Sequence, residues 1–110
     1  MALRHEAELE LRLERVFDVG CAEIRHGELL MWFGQDRLTV GIWREIDDRW
    51  NELLARTHHP FVPLLAGEAD GVIVFVWGDG LEARDGSWLK TVHGLTRRME
   101  PFKFDEQEAE

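Results

Sequence analysis

Residues 6–21 read Glu6-Ala7-Glu8-Leu9-Glu10-Leu11-Arg12-Leu13-Glu14-Arg15-Val16-Phe17-Asp18-Val19-Gly20-Cys21, and the reading of this stretch decides the fold. The odd positions Ala7, Leu9, Leu11, Leu13, Phe17, Val19 and Cys21 are apolar, with Arg15 breaking the series. The intervening Glu6, Glu8, Glu10, Arg12, Glu14 and Asp18 are charged. Such alternation is the period of a strand with one apolar and one wet face. Residue type argues the other way, since Ala, Glu, Leu and Arg favour helix. Wound as a helix, Leu9 and Leu13 point nearly opposite Ala7 and Leu11, and no single face is apolar. Weighting pattern over propensity predicts one long strand from Ala7 to Cys21.

Outward from this segment, Gly20 marks a bulge where the apolar parity slips from Cys21 to Ala22 and Ile24. His26-Gly27 reads as a tight turn. Residues 28–33 follow as a second strand, apolar on both faces. Ile42, Trp43, Ile46, Trp50, Leu53 and Leu54 then recur at helical spacing, with charged residues between them. Thr39 is placed to cap that helix, and it must end before Pro60. Val62 to Ala66 reads as a short strand and Gly67 to Gly71 as a turn. Val72 to Trp77 is a β-branched and aromatic run suited to a central strand. Asp85-Gly86 between Leu81–Arg84 and Ser87–Lys90 predicts a hairpin, with the last strand running from Ser87 to His93. The expected class is α+β: a mostly antiparallel sheet with long strands, packed by one amphipathic helix, in the order β-β-α-β-β-β-β. Residues 1–104 form the single domain of this reading, and residues 105–110 a disordered acidic tail.

The 110-residue chain carries 22 acidic and 13 basic residues, a formal net charge of −9. That balance disfavours nucleic acid as a partner, because binding to a phosphate backbone relies on Lys and Arg. Basic residues gather only near the end, at Lys90, Arg97, Arg98 and Lys103, and read as a solvated strand face or as a site for an acidic partner. The longest uninterrupted apolar run, Val72 to Trp77, is far short of a bilayer span. No leader is read at the charged N-terminus, so the expectation is a soluble cytoplasmic protein with no membrane partner. Cys21 is the only cysteine, which excludes an internal disulfide. On the apolar face of the first strand it is expected to be a small buried hydrophobe.

Few residues suggest chemistry. His58 and His59 are adjacent, and adjacent side chains of an extended segment point opposite ways. A metal site would need one of them to meet His93 and a carboxylate, and no clustered ligand spacing supports it. No metal and no cofactor are expected. Glu82 could pair with His93 across the hairpin for acid–base work. Ser87 is the only serine and has no nucleophile context. Gly78-Asp79-Gly80 lacks the Lys and the following helix of a phosphate loop. The five tryptophans stand without a tyrosine. Trp43 and Trp50 belong to the helix's inner face, and Trp32 and Trp77 to strands facing it. Trp88 follows the turn, beside Arg84, and is expected to be exposed and available to a partner or ligand.

These readings favour a small acidic protein that acts by binding, in a regulatory, chaperone-like or inhibitory role. It is expected to self-assemble, as a dimer first of all, because long strands leave an apolar face or open edge. A protein partner is the other use of the same surface. The alternative is a small-molecule-binding protein or small enzyme, with a Trp-lined pocket between helix and sheet and polar groups from His58, His59, His93 or Arg84. A third reading is an acidic decoy of nucleic acid, built on Glu6, Glu8, Glu10 and Glu14.

Overall fold

In the computed structural model, which describes residues 1–78, 80–84 and 86–97, residues 3–19 are helical. The first helix, α1 (Leu3–Val19), replaces the long strand expected there. Leu9, Leu13 and Val16 fall at i, i+4 and i+7 and are buried, while Leu11 and Val19 are exposed. The apparent period of two is thus two helical stripes on opposite sides of one helix, and propensity decides the segment. Gly20 is not a bulge but the left-handed residue that ends the helix, with φ of 101° and its N–H on the Val16 carbonyl.

β1 (Cys21–Arg25) follows. α2 (His26–Phe33) occupies the place of the expected turn and second strand, burying Leu29 and Trp32. α3 (Val40–Arg56) lies where the helix was expected and buries Ile42, Trp43, Ile46, Trp50, Leu53 and Leu54. Thr39 precedes it without a side-chain capping bond. β2 (Leu65–Ala69) and β3 (Val72–Val76) form a hairpin whose turn is Asp70-Gly71, both left-handed at φ of 51° and 78°. The expected strand over Leu81–Arg84 does not form, and the last strand shrinks to β4 (Lys90–Thr91), followed by α4 (Val92–Leu95). The Asp85 and Asp79 turn positions, Arg98, Lys103 and the acidic tail lie outside the described residues.

The α+β class and the antiparallel sheet hold, with four helices rather than one and an order of α-β-α-α-β-β-β-α among the described residues. The strands pair in the order β1-β3-β2-β4, and none exceeds five residues. On the inner face, Ala22, Ile24, Ala66, Ile73 and Phe75 join the helices' side chains in one core. Two indole N–H groups tie helices to loops or strands: Trp50 donates to the Val62 carbonyl at 3.0 Å and Trp77 to the Val16 carbonyl at 2.6 Å.

Arginines of α3 join the two long helices, Arg56 through Glu10 and Glu14 and Arg49 most closely. Arg49 of α3 donates to Glu45 on its own helix, and to Glu6 at 2.8 Å and Glu10 at 3.0 Å on α1. Burial alone would lower its pKa, but the hydrogen bonds it donates to Glu6, Glu45 and Glu10 outweigh it and push the pKa above the ordinary arginine range. Glu6 and Glu10 therefore hold a cation rather than forming a free acidic stripe, which removes two members of the decoy surface.

Candidate functional site

The expected site residues are divided among separate parts of the fold. His58 is exposed just beyond α3 and left-handed at φ of 55°. His59 is half-buried, edge-on to the rings of Phe17 at 5.6 Å and Trp77 at 5.2 Å, with Nδ1 2.7 Å from the Pro60 carbonyl. These rings belong to an aromatic cluster in which Phe17 stacks on Trp77 at 5.5 Å and Trp50 packs behind. His93 sits in α4, where Nδ1 lies 3.1 Å from Asp47 Oδ2 and Nε2 lies 3.1 Å from Arg97 Nη2. A guanidinium can only donate, so this arrangement suits a neutral imidazole whose Nδ1–H faces Asp47. The carboxylate that meets His93 is thus Asp47, not Glu82. Asp47 stands eleven residues before His58 on the α3 side, about 16 Å at helical rise. His93 and the His58-His59 pair do not converge, and among the described residues no group of three or more His, Cys, Asp or Glu is placed to hold a metal ion.

The Trp-lined pocket between α3 and the sheet is filled. Trp43, Ile46, Trp50 and Phe75 are fully buried there, with Trp43 and Phe75 in ring contact at 6.4 Å. Trp32 lies on α2 rather than on a strand, and Trp77 is half-buried just beyond β3.

Trp88 marks a different surface, the side of the sheet away from the helices. Register puts Val72, Val74 and Val76 of β3 on that side, next to Leu65, Gly67 and Ala69 of β2. The three valines are only half-buried. Trp88 is 48 % exposed and lies against Gly67, where a Cβ would overlap its ring. Leu65, two residues before Gly67 on the same side, is fully buried. Leu81 is exposed in the segment leading to Trp88, and Arg84 is exposed nearby in sequence, its carbonyl accepting the Ser87 N–H. A sheet with one wet face normally alternates apolar and polar residues. β3 does not: its outer positions are as aliphatic as its inner ones. Cys21 also projects to this outer side and is exposed, a correction to its expected burial. Placing it on a strand was right, but the strand begins at Cys21 and sets it opposite Ala22 and Ile24.

The sequence reading missed the arginines around β1, because it placed Arg12 and Arg15 on opposite faces of a strand. On a helix they share one side with a spacing of three residues. Arg12 Nη1 donates to the Glu23 carbonyl at 2.9 Å, and its guanidinium lies 5.6 Å from the Trp32 ring centre. Arg12, Arg15 and Arg25 border an open depression of about 450 Å³, with Glu23 and Glu28 on its rim. Compared with known protein families, curated proteins and solved structures, the chain matches none. Among the described residues no helix is long and apolar enough to cross a membrane.

Proposed function

We propose that this chain is a small acidic binding protein that acts by contact and assembles as a homodimer through the outer side of its sheet. The observation that carries the reading is the aliphatic outer row Val72, Val74 and Val76, half-buried on an interior strand, with no helix over it among the described residues and an exposed tryptophan on the same side. Apolar area left half-exposed favours association, at roughly 25 cal/mol per Å² removed from water. A second copy is the occupant best matched to it. The chain carries a net charge of −9, so two copies repel except where a surface is neutral. The β2–β3 outer face has no charged side chain from Val72, Val74, Val76, Leu65, Gly67 or Ala69. A two-fold axis on the β2 side of Val74, away from Glu23 and Arg25 on the outer face of β1, sets that neutral patch against itself. A stable dimer needs about 800 Å² from each partner, so Trp88 and Leu81 belong in the interface as well.

Light scattering after gel filtration tests the reading. The unaltered chain should run with the mass of a dimer at tens of micromolar, by analogy with interfaces of that size. Val74→Glu, which places a charge on the outer side without entering the core, should run as a folded monomer. An unaltered chain that stays monomeric at several hundred micromolar would rule the dimer out. A dimer that survives Val74→Glu and Trp88→Ala together would move the interface elsewhere.

A further inference from the structure

β1 is an end strand, and its outer edge is open. Gly20 and His26 fix which way its groups point: the Gly20 carbonyl accepts from Trp77 N–H at 3.1 Å, and His26 N–H donates to the Gly71 carbonyl at 2.9 Å. In an antiparallel pair these bonds recur at every second residue. Ala22 and Ile24 therefore bond β3, while Cys21, Glu23 and Arg25 turn their N–H and C=O groups away from it. Among the described residues no strand lies on that side.

The charge at this edge is opposite to that of the molecule. In a chain of net charge −9, Arg49 and Arg56 are paired with glutamates. Arg12, Arg15 and Arg25 have no carboxylate within ion-pair distance among the described residues, and all three border the depression along the open edge. Arg12 is already held, by the Glu23 carbonyl and the face of Trp32. Only one of its five N–H donors is used in that bond, and the others remain for an anion.

We propose that the β1 edge binds an extended acidic peptide segment of a partner protein, which adds to the sheet as a fifth strand and sets carboxylates against Arg12, Arg15 and Arg25. The main-chain groups of Cys21, Glu23 and Arg25 supply the ladder. The Glu23 carbonyl has a second lone pair, so a peptide N–H can join it without expelling Arg12. Glu23 and Glu28 on the same rim repel a compact multivalent anion such as phosphate, whereas a peptide spaces its charges along the strand. The ladder forms on the sheet's edge, but Arg25 and Glu23 stand on the outer face beside Val72 and Val74, so the site adjoins the dimer surface and is tested apart from it.

Fluorescence anisotropy with a labelled peptide of alternating Glu and Val tests this at low salt. Binding is expected, weakening as salt rises. Arg15→Glu with Arg25→Glu should weaken it about tenfold or more, since each lost charged hydrogen bond is replaced by repulsion. Both residues are exposed, so the double variant should keep its far-ultraviolet circular dichroism. The same peptide N-methylated at alternate residues should lose binding, because it keeps its charge but cannot form the ladder. Any of three results overturns the proposal: no binding by the Glu–Val peptide, equal binding by a Lys–Val peptide, or equal binding by the N-methylated form. Complete competition by equimolar inorganic phosphate overturns it too, in favour of a plain anion site. Trp88→Ala, over Gly67 on the far side of β3 from β1, should leave peptide binding unchanged, which separates this outcome from failure of the dimer.

Discussion

α1 and α3 are both 17 residues long and pack in the same layer, yet they are stabilised in different ways. α3 buries seven side chains along one continuous stripe, including two tryptophans. α1 buries three, and leaves a second apolar row of Leu3, Ala7 and Leu11 on its exposed side. The first helix is held mainly by what it docks against. The second is itself the dock. Amphipathicity therefore makes α3 legible in sequence and leaves α1 to propensity and charge.

The strongest way to break this comparison is at the centre of α3. Trp50 is fully buried, packs on Phe17 at 6.3 Å and Trp77 at 6.0 Å, and donates to the Val62 carbonyl. Trp50→Ala removes that volume and leaves the carbonyl without its donor, at a cost of about 3–5 kcal/mol. A domain of this size has only about 5–15 kcal/mol in all. Urea unfolding should show a midpoint lowered by a large fraction of its original value. A midpoint within error of the unaltered chain would mean that α3 is not the dock.

How much the sequence discloses follows the same division. Ile42 to Leu54 fixes α3 because every apolar residue lies in one stripe. In 7–21, two stripes at opposite azimuths add up to a period of two, so the strand signal was an interference pattern. Even so, Leu9 and Leu13 are buried under either reading, since both stripes and strand set them on one side. Val72 to Val76 was readable as an interior strand from its uniform β-branched composition, whereas its half-buried outer face was not, since a strand without alternation is normally covered on both sides. Gly67 was read as part of a turn, while it lies within β2 because Trp88 needs its space. That reason is twenty-one residues away and invisible locally. The same distance hides the β1 edge, since Arg12 reaches Glu23 only once α1 is a helix.

Arg49 joins the two helices, and its removal sharpens the contrast. Arg49→Gln leaves Glu6, Glu10 and Glu45 facing one another without the cation they share. The carboxylates are partly solvated, which limits the loss to about 2 kcal/mol. Arginine remains charged throughout the accessible pH range, so the contribution does not fade in mild alkali as a lysine's would. Hydrogen exchange should show α1 opening more readily, with α3 still protected until global unfolding. Equal loss of protection in both helices would mean that Arg49 supports the core rather than the joint between helices.

Leu11 gives the smallest effect and the clearest test of why the two helices differ. It lies one turn from Ala7 on the exposed row and is 59 % exposed, against none for Leu9 two residues earlier. α1 is held to the domain by Leu9, Leu13, Val16 and Phe17, by Arg12 on Glu23 and by ion pairs to Arg49 and Arg56, so Leu11→Gln, outside that set, should change the unfolding free energy by no more than about 0.5 kcal/mol, because it exchanges one exposed good helix former for another. Had residues 7–21 formed a strand, Leu11 would share the buried face with Leu9 and the same change would be severe. A destabilisation approaching that of a core truncation, about 2 kcal/mol or more by urea titration, would therefore show that the exposed row is covered in solution. Repeating the titration at two protein concentrations separates the causes. A loss that grows with concentration places a second copy on Leu11 rather than on the sheet's outer side, and the interface would then belong to the exposed apolar row of α1.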